Sequence, residues 1–262
     1  MVNDSLGDRM KEYEARYAPR LMPLLPTFAR LDGKAFHSFT HGLKRPYDEG
    51  LLRLMRGATR ELLDERRAIH GYTQSDEITL LFYTHDSRTQ LYFDGKIQKM
   101  VSVLASLATS SFQDGLPGEI PSKVDYYPRP VFDCRVWQVP TLCEAANAVL
   151  WREMDATRNS LQMVARSHYS HKALIGKATP ELHDLLHAKG DNWDAYPDAF
   201  KRGSHFGIRQ IVDYIQHPGG PGEPVVRKEV VDLALQPLLT YTDRVKAMFD
   251  LPADCSRLTT AA

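Results

Sequence analysis

The sequence predicts an α+β fold, an antiparallel sheet with helices on one face, plus a helical C-terminal extension. Three observations carry that expectation. Short β-rich runs lie at 27–32, 69–73, 78–83 and 131–139. Apolar residues recur at helical spacing at 48–66 and 96–112. The resulting order of strand, helix, hairpin, helix, strand is the split arrangement of ferredoxin-like domains and polymerase palms.

Each element has its own local reason. Residues 5–16 are charged and read as a surface helix, after which Pro19, Pro23 and Pro26 forbid continuous helix. Along 27–32, alternation puts Ala29 and Leu31 on one face and Phe28, Arg30 and Asp32 on the other. Gly33 ends the strand. Leu51, Leu54, Met55, Ala58 and Leu62 form the apolar stripe of an amphipathic helix. Two β-rich runs joined by Gln74-Ser75-Asp76-Glu77 read as a hairpin with Asp76 at an exposed tip. Met100, Val103, Leu104 and Leu107 mark the buried stripe of the next helix. A long helix follows at 143–166, with Leu150, Met154, Leu161 and Val164 expected against the sheet. Beyond Gly176 the signals weaken. The run at 218–224, three prolines and three glycines in seven residues, reads as a loop, and 238–249 as a terminal helix. The expected organisation is an N-terminal helical extension (1–25), a palm-like domain (26–140) and a helical C-terminal part of the same domain (141–262).

Lys+Arg and Asp+Glu both total 33 in 262 residues, so basicity does not mark the whole chain as a polyanion binder, and only local patches could do that work. Cys134, Cys143 and Cys255 are odd in number and lack CxxC spacing, which argues against a zinc site or a disulfide framework. The polar start has no apolar signal stretch, and no run approaches the roughly 18 apolar residues of a membrane span. The expectation is a soluble cytoplasmic protein.

Chemistry concentrates at Asp32 and Asp76. A strand-end carboxylate followed by glycine and lysine, and a second on the hairpin, fall on the same edge of a palm-like sheet. Two converging carboxylates suit Mg²⁺, which prefers oxygen ligands and leaves sites for phosphate. Two such ions offset the charge of a triphosphate and stabilise the attacking and leaving oxygens of a phosphoryl displacement. Taken alone, Asp-Gly is also an ordinary turn dipeptide and Ser-Asp-Glu an ordinary hairpin tip.

Arg30-x-Asp32-Gly33-x-x-Phe36-His37-x-Phe39, Gly71-Tyr72-x-Gln74-Ser75-Asp76-Glu77, Phe132-Asp133-x-Arg135 and Trp151-Arg152-x-x-Asp155 occur in that order. Together, over roughly 26–203, they resemble the tRNA-His guanylyltransferase family and its bacterial and archaeal like-protein branch. The resemblance implies a palm that adds nucleotides to the 5′ end of RNA: the 5′-monophosphate attacks the α-phosphate of ATP, and the 3′-hydroxyl of an incoming nucleoside triphosphate such as GTP then attacks the activated end. It implies Asp32, the Gly33 carbonyl and Asp76 as ligands of two Mg²⁺, with Glu77 supporting the second carboxylate. Lys34, Ala35, Phe36 and His37 would form a loop over the nucleotide, Ser75 would adjoin it, and Arg45, Lys96 and Lys99 would meet phosphates. It also implies a homotetramer, a dimer of dimers.

One departure narrows the resemblance. Where eukaryotic members follow Trp-Arg-x-x-Asp with Cys-His-Ile-Asn-Asn, this chain has Ala156-Thr157-Arg158-Asn159-Ser160. That points to template-dependent repair of 5′-truncated tRNA rather than dedicated addition of G at position −1 of tRNA-His. Arg152, Asp155, Asn159, Gln162 and Arg166 share one face of the long helix. With the resemblance, Asn159 is expected at the second nucleotide, and Arg152, Arg158, Arg166, His168, His171 and Lys172 at the RNA. A palm-type nucleotide cyclase and a non-catalytic RNA-binding module are the other readings. The first draws no support from the Trp151-Arg152 and Phe132-Asp133 motifs, and the second has no need of both aspartates.

Overall fold

The computed structural model describes residues 5–65, 68–215, 223–234, 244 and 248–249. The chain opens with helix α1 (Ser5–Arg16) and enters strand β1 (Thr27–Gly33). A single helical turn, α2 (Phe36–Phe39), and helix α3 (Glu49–Glu65) lead to the hairpin of β2 (His70–Gln74) and β3 (Glu77–Phe82). Helix α4 (Ile97–Glu119) and strand β4 (Phe132–Gln138) complete the expected order. The long helix α5 (Leu142–His168) follows, then α6 (His171–Leu174), α7 (Thr179–His187) and α8 (Asp198–Lys201). Strands β5 (Ser204–Ile215) and β6 (Glu223–Leu233) return to the sheet.

The sheet is antiparallel throughout, in the order β4-β1-β3-β2-β5-β6. The C-terminal extension is therefore helical only in part, because β5 pairs with β2 and carries β6 outside it. The polar character of β5 and β6 hides them in the sequence: Arg209, Gln210, Arg227, Lys228 and Glu229 interrupt the apolar alternation. The loop expected at 218–224 and the helix at 238–249 lie largely outside the described residues. No helix among the described residues is long and apolar enough to cross a membrane.

Period-two alternation sorts the two faces. Ala29, Leu31, Ile78 and Leu80 point to α3 and α4, where Leu54, Met55, Ala58, Leu62, Met100, Leu104, Ala108 and Phe112 complete the main core. The opposite face carries Phe28, Arg30 and Asp32 of β1, aligned with Leu81, Thr79 and Glu77 of β3 and with Trp137, Arg135 and Asp133 of β4. Every residue of β3 is buried, so this face needs cover too, and α5 supplies it. Cys143, Ala145, Ala146 and Val149 lie over Phe28 and Leu81. The far half of α5 overhangs the sheet and packs Leu161, Val164 and Ala165 on Leu174, Leu182, Leu186 and Trp193.

The buried stripe of α5 differs from the expected one at its centre. Leu161 and Val164 are buried, but Met154 is 58% exposed and Glu153 takes the inward position. The sheet beneath explains the exchange, since it presents polar groups. Glu153 lies 2.8 Å from the buried guanidinium of Arg244 and 3.4 Å from His205 of β5.

Candidate active site

The Asp32 and Asp76 backbones meet because of strand register. Asp32 pairs with Glu77, the first residue of β3, and the Gly33 amide donates to the Asp76 carbonyl at 3.0 Å. The hairpin turn is tighter than the four residues read from the sequence: only Ser75 and Asp76 separate the strands, and Ser75 adopts the left-handed conformation at φ 50°. Asp76 is accordingly half-buried rather than at an exposed tip. Burial holds its carboxyl above the usual carboxylate range; the hydrogen bonds from its own backbone and from Ser75 offset part of this, and the charges of Asp32 and Glu77 add to it.

These residues form one end of a cleft of about 510 Å³ between the sheet edge and α5. Asp32, Ser75, Asp76 and Glu77 line the sheet side, and Arg152, Asp155, Asn159, Gln162 and Arg166 line the helix side. The polar helix face read from three- and four-residue spacing thus faces a cavity. A third wall comes from Tyr47, Asp48 and Phe200, with the Tyr47 and Phe200 rings stacked at 4.7 Å. Asp48 is held in place by the amides of Lys44 and Leu51, at 3.3 and 3.1 Å, and so fixes the start of α3.

Two further relationships govern the charge. Asp32 accepts the exposed Arg135 guanidinium at 2.9 Å and lies 3.6 Å from Arg30. Arg135 sits in a motif that resemblance alone left without a role; its position two residues from Asp133 on the partner strand is the signal that places it diagonally across from Asp32. Glu77 is buried and paired with Arg152, Nε to Oε1 at 2.8 Å with a second bond from Nη2 to Oε2. Burial opposes the Arg152 charge, but Glu77 and Asp155 raise its pKa above the ordinary value. Glu77 is thus turned into the α5 interface, and Arg152, expected at the RNA, holds α5 to the sheet.

The remaining expected residues divide. Lys34, Ala35 and His37 are exposed in the turn following Gly33, whereas the Phe36 ring packs in the core against Phe39, Phe112 and Phe132. Arg45 is exposed two residues before Tyr47. Lys96 caps the start of α4, and Lys99 lies over the Phe93 ring at 4.8 Å. That end of α4 adjoins Phe82 through Tyr92, at the opposite end of β3 from Glu77, so neither lysine joins the cleft. Arg158 is exposed and paired with Asp155 at 3.0 Å. His168 is bonded to Asp191 at 2.6 Å, which ties the end of α5 to the segment after α7. His171 and Lys172 are exposed just beyond. Ser160, in the departing run, is buried and bridges α5 to the Lys201 carbonyl and the Trp193 indole.

Among the described residues no group of three or more His, Cys, Asp or Glu side chains stands ready to hold a metal. The donor set that the site does offer is two carboxylates and main-chain oxygen. A desolvated Asp76 beside the charges of Asp32 and Glu77 is an arrangement that a hard cation would relieve, so these residues fit Mg²⁺ with phosphate completing its shell.

The family model described as tRNAHis guanylyltransferase matches residues 7–140, just over half of the chain. This chain belongs to the tRNAHis guanylyltransferase family. Two solved structures of bacterial tRNAHis guanylyltransferase-like proteins are similar to it. One, in complex with ATP, has a TM-score of 0.72 at 35% identity, covering 78% of this chain and 87% of that one. The other, in complex with GTP, has a TM-score of 0.65 at 31% identity, covering 87% and 91%. The tRNA(His) guanylyltransferase of Schizosaccharomyces pombe is 28% identical over 240 residues, 86% of this chain and 88% of that protein. An uncharacterised Acanthamoeba polyphaga mimivirus protein is 29% identical over 186 residues, and the match spans 63% of each. The palm fold and membership of a nucleotidyltransferase family follow directly from these matches.

Proposed function

We propose that this protein is a template-dependent 3′-5′ nucleotidyltransferase that adds nucleotides to the 5′ end of truncated tRNA after ATP-dependent activation of the 5′-monophosphate. The observation that carries the reading is the cleft itself. The Asp32–Asp76 pair lies at one end, and the Arg152–Arg166 face of α5 runs along the other wall.

Asp32, Asp76 and the Gly33 carbonyl would hold Mg²⁺. Bound there, it would supply charge neutralisation at the transferring phosphate. The chain's own residues do the positioning. Tyr47 and Phe200 offer a stacked aromatic wall for a base, and Asn159 offers an amide for its polar edge. Ser75 lines the cleft beside Asp76, and the exposed Lys34, His37 and Arg45 would meet the triphosphate. In the first step the RNA 5′-phosphate oxygen attacks the α-phosphate of ATP and pyrophosphate leaves. In the second, the 3′-hydroxyl of an incoming nucleoside triphosphate attacks the activated phosphate and AMP leaves. Arg166, which lines the cleft, and the exposed His171 and Lys172 that follow α5 suit the RNA backbone. A cytoplasmic homotetramer is part of the same proposal, with light scattering as its check.

The test is incubation with 5′-truncated, 5′-monophosphorylated tRNA, labelled ATP and all four nucleotides. An adenylylated intermediate and templated 5′ growth are expected. Addition restricted to one G on tRNA-His would instead favour the dedicated guanylyltransferase. Cyclic nucleotide without RNA product would favour a cyclase, and binding without turnover a non-catalytic module.

A further inference from the structure

Just outside the cleft, on its β4 side, Trp151 stands 53% exposed on α5. Its surroundings are ordered as a stack of rings and guanidiniums. Phe28 and Trp137 stack at 5.2 Å with planes 18° apart. The Arg30 guanidinium lies 5.7 Å from the Trp137 ring and 5.9 Å from the Trp151 ring. Arg152 lies 4.7 Å from Trp151. Both arginines are tethered at their other side, Arg30 near Asp32 at 3.6 Å and Arg152 on Glu77. The indole is thus oriented by two cations that are themselves fixed to the acidic sheet edge, and half of its surface still meets water.

A large aromatic side chain gains from burial, so one held in place and left half exposed marks a contact surface. The nearby exposed groups define the partner. Arg135 on β4 and Arg158 on the next turns of α5 are exposed guanidiniums, paired on one side with Asp32 and Asp155, and Met154 is 58% exposed between Trp151 and Arg158. A rigid ring among guanidiniums is the composition that binds single-stranded nucleic acid, because every base has a stackable face and its phosphates meet the cations. Trp, Met and Arg also compose protein interfaces, so a second copy of this chain is the other occupant that the test distinguishes.

We infer that Trp151 is a stacking platform for an unpaired RNA base next to the reacting 5′ end. It is a positioning residue that sets the RNA end against Asp32. This rests on the proposed polymerase reading for what the RNA is, and on the Trp151–Arg30–Asp32 geometry for where it sits.

The test uses the full chain and a 5′-monophosphorylated, 5′-truncated tRNA, with Trp151→Phe and Trp151→Leu. Leucine keeps apolar bulk and loses the ring face, so a folded Trp151→Leu protein isolates stacking. RNA affinity is expected to fall about tenfold in Trp151→Leu and to stay within about threefold in Trp151→Phe, with the KM for ATP unchanged in both. RNA should quench tryptophan emission in the wild type, and that quench should vanish in Trp151→Phe while Trp137 and Trp193 remain. Wild-type RNA affinity in Trp151→Leu, a quench that persists in Trp151→Phe, or a rise in the KM for ATP instead would each overturn the platform. So would a Trp151→Leu protein whose only change is a smaller assembly by light scattering, since Trp151 would then serve a second copy. A wild type that binds RNA through Trp151 but never extends it would overturn the polymerase reading and leave the platform standing.

Discussion

Arg152 of α5 donates two parallel hydrogen bonds to the Glu77 carboxylate at the start of β3, with side-chain exposures of 13% and 6%. This pair fixes how the polar face of α5 stands over the sheet edge. Removing one partner leaves a desolvated charge, and Glu77→Ala should lower unfolding free energy by about 3 kcal/mol, less whatever Asp155 at 3.3 Å recovers. Urea unfolding measures it, and an unchanged midpoint would show that the pair does not hold the helix. Glu77→Leu combined with Arg152→Met should recover much of the loss, because an apolar pair of similar volume leaves no orphan charge.

Asp32 and Asp76 should respond to Mg²⁺ in a way other acidic residues do not. Addition of the ion to the chelated wild type should raise its Tm, since the ion binds the folded state preferentially. Asp32→Asn and Asp76→Asn should each abolish most of that rise and lower turnover by several kcal/mol of barrier, about a thousandfold. A full Mg²⁺-induced rise in either variant would show that the ion sits elsewhere.

A pH dependence follows from the buried histidines. His205 Nδ1 and His70 Nε2 lie 3.3 Å apart, faced by Tyr72, Glu153 and Arg244. Burial, with the charges of His205 and Arg244, pushes His70 well below the ordinary histidine value, and burial lowers His205 despite Glu153. The folded state therefore binds fewer protons than the unfolded chain below about pH 6.5. Stability should be fully present above that pH and be lost as pH falls, at up to about 1.4 kcal/mol per histidine per pH unit. The Tm between pH 7 and pH 5 should drop less steeply in His70→Gln, and an identical slope would remove His70 as the cause.

Much of the palm was legible because its signals are local. Alternation in β1 separated Ala29 and Leu31 from Phe28, Arg30 and Asp32, and the fold keeps that division. The helix face carrying Asp155, Asn159 and Arg166 was legible from spacing, and it lines the cleft. What was hidden depends on partners far away in sequence. Glu153 faces inward where Met154 was expected because His205 and Arg244 wait beneath it. Lys96 and Lys99 looked like phosphate ligands by resemblance, but α4 carries them to the other end of the sheet.

The basic end of α5 separates two roles that its sequence runs together. His168 is bonded to Asp191, which also accepts the Tyr196 hydroxyl at 3.0 Å, while Lys172 is exposed. Arg166→Ala combined with Lys172→Ala should weaken tRNA binding and flatten its salt dependence by about two ions' worth of slope. His168→Ala should lower Tm and leave that slope unchanged. A flattened slope in His168→Ala would return this histidine to the RNA surface.

Gly33 and Phe36 show how tightly the catalytic edge is packed from behind. A Cβ placed on Gly33 would lie 2.2 Å from the Phe36 ring, whose other contacts are Phe39, Phe112 and Phe132 at centroid distances of 5.2–5.4 Å. The glycine before the loop is required by this close approach, and the aromatic cluster gives the ring no room to retreat. Gly33→Ala should therefore destabilise by about 1–3 kcal/mol, the usual cost of overpacking, and shift the neighbouring Asp32 enough to cut turnover. Pairing it with Phe36→Leu opens space on the ring side and should restore part of the stability. Thermal melts of the two single variants and the double form the cycle. Additive losses would mean that Gly33 is needed for its backbone alone, whereas a double variant more stable than Gly33→Ala would confirm that the Phe36 ring, expected over the nucleotide, instead wedges the strand end that carries Asp32.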